Sequence, residues 1–218
     1  MLAINETLIA PYAFVILKPQ MEDVAKRARE CSNVVGLRNI LRRPFVRAAF
    51  RRQFAALLHR TTLETGQVLL ISCEALVGRI PGRENVKAFD AAADLAKDMV
   101  AVVEKHFDND LDLTFLYTTR SAISWMRSAY SHLLHQSKFT MSEVDFLHGF
   151  NRASDLDAIL TQIRKAVAPH NVVNSELEMT ANDPLGPASI LLDLLDLPID
   201  VAAKIEPARQ HNKKVNTV

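Results

Sequence analysis

The run Tyr12-Ala-Phe-Val-Ile-Leu17 is apolar throughout and stops at Pro19, which predicts a short strand. A second run, Gln67-Val-Leu-Leu-Ile-Ser72, has no polar residue between its ends, as a strand covered on both faces would have. A third covers Asp112 to Tyr117, after the turn-forming Asp108-Asn-Asp110, and a short fourth covers Asn171-Val-Val173. Between and after them the apolar period lengthens to that of a helix. Met21 to Ser32 predicts a helix with a polar face, and 36–62 predicts one or two longer helices, broken or started at Pro44. Asn85 to His106, Ser121 to about His135, Ser142 to Phe150, Asp155 to Ala168 and Pro187 to Leu195 predict further helices. Gly78-Arg-Ile-Pro-Gly82 reads as a loop, and the tail beyond Pro207 is polar. Strands separated by helices imply an α/β domain with parallel pairing and crossover helices. The helix at 85–106 joins two buried-type strands, so Val68–Ser72 and Leu113–Tyr117 are expected as close neighbours in one parallel sheet.

Composition narrows the function classes. The chain has 218 residues, 49 % of them apolar, enough for a sizeable core in a single domain spanning 1–218. A formal net charge of +1 argues against a wholesale nucleic-acid binder. Cys31 and Cys73 form no motif, so reduced buried thiols in a cytoplasmic protein are expected rather than a disulfide. No secretory leader opens the sequence, and no uncharged apolar run approaches the roughly 20 residues of a membrane span.

Local charge is less even. No acidic residue lies between Asn33 and Leu63, a segment that carries Arg38, Arg42, Arg43, Arg47, Arg51, Arg52 and Arg60. Arg43, Arg47 and Arg51 recur every four residues and share a helix face, opposite an apolar side that includes Phe45, Phe50 and Phe54. Such a helix either docks on an anionic membrane surface or polyanion, or is a solvated face balanced by acids elsewhere in the fold.

The segment with the most chemistry is Leu113-Thr-Phe-Leu-Tyr-Thr-Thr-Arg120 and the helix opening at Ser121. It places a guanidinium at the carboxyl end of a strand, the edge where open α/β sheets bind ligands. Arginine's planar fork suits phosphate. Ser121, Ser124 and Ser128 lie at i, i+3 and i+7 on one face of the helix, where small hydroxyls let a ligand approach. Trp125, the one tryptophan, either packs in the core or covers a bound base. Glu74 follows the strand at 68–72; a carboxylate partly desolvated at such an edge gains proton affinity and can act as a base, with Glu176 a second candidate. His132 and His135 share a helix face, but no Cys, Asp or Glu completes a metal set beside them, so a solvated helix end is expected and no metal.

The order of these features resembles the sulfotransferases that use 3′-phosphoadenosine 5′-phosphosulfate (PAPS), most closely bacterial sulfotransferase-like proteins acting on saccharides or lipids. Leu69-Leu-Ile-Ser-Cys-Glu74, Thr118-Thr-Arg120 with Ser128 and Tyr130, Asn171-Val-Val-Asn-Ser-Glu176 and His211-Asn-Lys-Lys-Val-Asn216 carry the likeness, from about Val68 to the C-terminus. The resemblance implies a three-layer, P-loop-kinase-like fold with a parallel sheet flanked by helices. It implies a 3′-phosphate held by Arg120 and Ser128, a nucleotide approached by Lys214 and Asn216, and Glu74 as the base toward a hydroxyl acceptor. PAPS would be the co-substrate. The family's phosphosulfate loop, a strand followed by a Lys-Ser/Thr-Gly-Thr/Ser turn, has no counterpart: none of the six glycines has a lysine two positions before it. The resemblance therefore admits a fragment, a gene model with a late start, or a relative that binds nucleotide or polyanion without cleaving the donor.

Overall fold

The computed structural model of the chain describes residues 2–107, 111–136 and 139–207. It is an α/β fold with short parallel two-stranded sheets. The order is helix α1 (Glu6–Ile9), strand β1 (Ala13–Leu17), helices α2 (Glu22–Gly36) and α3 (Arg43–Leu58), strand β2 (Val68–Ser72) and helix α4 (Ala92–Phe107). Strand β3 (Thr114–Thr119), helices α5 (Ala122–Gln136), α6 (Glu143–Gly149) and α7 (Leu156–Val167), strand β4 (Asn171–Glu176), and helices α8 (Ala188–Leu194) and α9 (Ile199–Ala202) follow.

β1 pairs in parallel with β2, Ala13 opposite Val68, and β3 pairs in parallel with β4, Thr114 opposite Asn171. Each pair closes its own crossover, through α2 and α3 in the first and through α5 to α7 in the second. This corrects the expected neighbourhood of β2 and β3. The two are not hydrogen-bonded to each other, so α4 joins separate pairs rather than adjacent strands of one ladder.

Side chains alternate along β1, as pleating requires. Phe14 and Ile16 face the main core, while Ala13 and Val15 face a second cluster with Ile9, Leu192, Leu195 and Ile205. The main core draws on Val24, Ala28 and Cys31 of α2, Phe50, Phe54 and Leu58 of α3, Leu95, Met99 and Val103 of α4, and Ile163 and Val167 of α7. Residues of both sheets, Leu69 and Ile71 on one and Phe115 and Tyr117 on the other, pack against it. Phe50 and Phe54 are 0 % and 2 % exposed, and burying each contributes roughly 1.5–3 kcal/mol. A third cluster joins Met126, Ala129 and Leu133 of α5 to Phe146 and Phe150, with Trp125 packed edge-on against Phe89, ring centroids 5.6 Å apart.

Two boundaries differ from the sequence pattern for packing reasons. α4 begins at Ala92 rather than Asn85, because Val86 and Ala88 are buried in an irregular segment and tertiary contact overrides helix propensity there. α2 runs on to Gly36 and ends in a Schellman motif: Asn39 N–H donates to the Val34 carbonyl and Arg38 N–H to the Val35 carbonyl. The left-handed position of that motif, which glycine usually fills, is occupied by Arg38 at φ 53°. Gly78 does use its freedom. At φ 99° its missing Cβ would stand 2.0 Å from the Ser32 hydroxyl oxygen, which accepts from Arg79 N–H.

Arg47 and Arg51 reach across to acids on α4. Arg47 donates from Nε and Nη2 to the two oxygens of Asp98, at 2.7 and 2.9 Å, and Arg51 Nη1 donates to Asp98 at 3.1 Å. Arg47 Nη1 lies 3.0 Å from Asp94. Of the two readings of this basic segment, balance by acids elsewhere in the fold describes Arg47 and Arg51.

Burial pushes the Cys31 thiol up from 9.0 to about 12, with Asp98 adding to the effect, and burial alone pushes the Tyr117 hydroxyl up from 10.0 to about 12. Folding stability is therefore expected to be fully present below pH 9 and to fall between pH 9 and about 12. In that window the unfolded chain has released protons that the folded chain still holds, so rising pH favours unfolding. Urea titrations inside and below the window measure the loss. Cys31→Ala should flatten its lower half, and a stability unchanged throughout would contradict the burial of both groups.

Candidate functional site

β3 delivers Thr119 to the carboxyl edge of the β3–β4 pair, Arg120 follows it, and α5 opens immediately. Two helical turns on, α5 returns Ser128 to the same side. Arg120 Nη1 donates to the Ser128 hydroxyl at 3.4 Å, a long hydrogen bond between two exposed side chains. The pair singled out in the sequence is thus brought together in space.

Beside it lies an open cleft of about 400 Å³, lined by Thr119, Arg120 and Ser121 at the end of β3, by Ser154, Asp155 and Asp157 at the start of α7, and by Glu176 at the end of β4. The register sets Glu176 opposite Thr119. Thr119 Oγ1 donates to Asn174 Oδ1 at 2.9 Å, which ties the two strands together below the cleft. Asp155 caps α7 by accepting from Ala158 N–H at 3.1 Å. One guanidinium therefore shares the cleft with three carboxylates, so the cleft favours hydroxyls and amines over a second anion.

The start of α5 is occupied from within the chain. Glu178 Oε1 accepts from Ser121 N–H at 3.0 Å. That backbone bond, with help from the hydroxyls of Ser121 and Ser124, holds the Glu178 carboxyl below the usual carboxylate range. Ser128 is the hydroxyl of the stripe turned to Arg120. Reasoning from sequence missed Glu178. The signal available was an acid following the fourth strand, and only the β3–β4 pairing makes it a neighbour of α5. In the same strand Ser175 is 1 % exposed, and its hydroxyl has no hydrogen-bond partner among the described residues.

Glu74 lies elsewhere. It begins a 3-10 turn after β2, its side chain is 88 % exposed, and it pairs with Lys18 Nζ at 3.3 Å at the carboxyl edge of the β1–β2 pair. The desolvation expected of it is absent, because the turn carries the side chain outward into solvent. It does not line the cleft that holds Arg120, whereas Glu176 does. Lys214 and Asn216 fall outside the described residues. His132 and His135 are exposed on α5. His170, which belongs to no pattern in the sequence, has its Nε2 3.1 Å from Glu104. Among the described residues no cluster of His, Cys, Asp and Glu gathers as metal ligands would, and no helix is long and apolar enough to cross a membrane.

Compared with protein-family models, with curated proteins and with solved structures, the chain finds no match.

Proposed function

We propose that this chain is a sulfotransferase-like nucleotide-binding protein whose Arg120 and Ser128 hold the 3′-phosphate of an adenosine nucleotide such as PAPS. The observation that carries the reading is the approach of Arg120 Nη1 to Ser128 Oγ, which gathers a charged donor and a hydroxyl on one exposed spot at a strand's carboxyl edge. A phosphate there accepts from the guanidinium fork and from the serine hydroxyl. The cleft beside it suits the other half of such a reaction: Asp155, Asp157 and Glu176 accept hydrogen bonds from a hydroxyl-rich acceptor, a saccharide in preference to an anionic lipid.

With this reading goes the finer account of the fold, a three-layer P-loop-kinase-like domain. Lys214 and Asn216 approach the nucleotide in the same account, and a cytoplasmic setting keeps Cys31 and Cys73 reduced. Glu74 is assigned as base by resemblance alone. Glu176 is the carboxylate that shares a cleft with Arg120, and it is the better candidate to contact an acceptor.

Calorimetry with adenosine 3′,5′-bisphosphate tests the assignment. A charge-assisted phosphate contact is worth roughly 1.5–3 kcal/mol, so Arg120→Ala should weaken binding by about 10- to 100-fold and Ser128→Ala by less. Adenosine 5′-phosphate, which lacks the 3′ group, should bind wild type and Arg120→Ala alike. Equal affinity of both proteins for the bisphosphate would remove Arg120 from the site.

A further inference from the structure

We propose that the corner between α2 and α3 docks the protein on an anionic lipid surface. Leu37, Ile40, Leu41 and Phe45 are 55 %, 73 %, 83 % and 76 % exposed, four large apolar side chains within nine residues. They stand on the turn after α2 and the first turn of α3. Arg38 and Arg42 flank them, both exposed and without an ion pair among the described residues. Arg52 and Arg60 extend the positive side along α3 and beyond it, and no acid interrupts the segment between Asn33 and Leu63. Apolar side chains that enter the headgroup boundary, flanked by arginines that reach lipid phosphates, are the composition of an interfacial anchor.

The charge pattern selects the occupant. A second copy of the chain would bring the same arginines face to face, which disfavours self-association through this corner. A surface of anionic headgroups meets both halves of the patch at once.

Arg38 supplies an independent argument. It occupies the left-handed position of the Schellman motif at φ 53°, where glycine is the unstrained choice. Strain kept at one residue points to a use for its side chain, and Arg38 is an exposed residue between Leu37 and Ile40 of the apolar cluster. The basic face that docks is therefore not the row of Arg43, Arg47 and Arg51, since Arg47 and Arg51 are held by Asp94 and Asp98.

Sedimentation with vesicles of phosphatidylcholine, with or without phosphatidylserine as the minority lipid, tests the proposal. The wild type should bind the anionic vesicles and leave the neutral ones. A basic residue near such a surface is worth about 1 kcal/mol, so Arg42→Gln and Arg38→Gly should each weaken binding by about fivefold. Leu41→Glu should weaken it by about tenfold or more. Arg38→Gly relieves strain, so its Tm should hold or rise by about 2 °C while lipid binding falls. Equal binding to neutral and anionic vesicles, no binding to either, or indifference to Leu41→Glu would overturn the proposal. So would a concentration-dependent dimer that Leu41→Glu dissolves, which would assign the corner to a second copy. Nucleotide affinity reports separately on Arg120 and Ser128.

Discussion

Asp98→Ala should destabilise the fold by about 3–5 kcal/mol, the largest loss expected from any exchange of a charged residue in this chain. Asp98 is 2 % exposed on the face of α4 that packs on α3. Its two oxygens accept three hydrogen bonds, a bidentate pair from Arg47 and one from Arg51. A bidentate arginine–carboxylate bond is among the stronger polar contacts available, and this one lies where water cannot replace it. Its removal leaves the Arg47 guanidinium, 27 % exposed, with Asp94 alone, while Arg51 at 45 % exposed turns to solvent. The loss should therefore fall toward the lower end of the range. Arg47→Ala makes the complementary error, leaving a buried carboxylate with one donor. Because the penalty belongs to the orphaned partner, the double change Arg47→Met with Asp98→Leu should recover most of the stability. Urea denaturation of the single and double variants measures all three. A loss below about 1 kcal/mol for Asp98→Ala would show that water reaches the site and that the pair is no more than a surface contact.

The second large effect is a missing one. These 218 residues should bind a 3′-phosphorylated nucleotide without transferring sulfuryl groups from PAPS at a measurable rate. Sulfuryl transfer builds negative charge on the leaving phosphate oxygen, and donors aimed at that charge are worth about 10²–10³ in rate apiece. The family's lysine and the backbone N–H groups of its glycine turn supply them, and no glycine of this chain has a lysine two positions before it. At the strand edges, Lys18 is paired with Glu74 at 3.3 Å, and Arg120 is assigned above to the 3′-phosphate rather than to the leaving oxygen. Labelled sulfate followed from PAPS into a saccharide acceptor is the measurement. Robust transfer would mean that another group does the work of the loop, and Glu176→Gln would then be the first variant to assay.

The parts legible in the sequence were those that depend on local pattern. The runs at 13–17 and 68–72 are strands as expected, and the strand expected at 112–117 lies at 114–119; the side chains of β2 and β3 are half-buried at most rather than covered on both faces. Pro44 starts α3, Ser142 caps α6 and Asp155 caps α7, each by chemistry confined to one helical turn. β4 was cut short at Val173 because its last residues, Asn174, Ser175 and Glu176, are polar. They are strand because they complete the ladder with Tyr117, Thr118 and Thr119. Which strand edges meet was not legible, since β2 and β3 follow one another in the chain and yet pair elsewhere.

The candidate site divides along the same line. Arg120 and Ser128 could be matched because eight residues on one strand-to-helix junction fix their geometry. Glu178 could not, lying 57 positions from Ser121, nor could Asp98, 51 positions from the Arg47 it holds. Glu74 was misjudged on environment rather than position: its place after β2 is as expected, but a turn directs it to solvent.

Trp125 stands one helical turn before Ser128, with its ring edge against Phe89. As the chain's one tryptophan, it makes indole fluorescence a signal from a single place. The ring belongs to the cluster that packs α5, so loss of that packing wets it. The protein thus carries a built-in optical gauge, unlabelled, of the integrity of the α5 cluster.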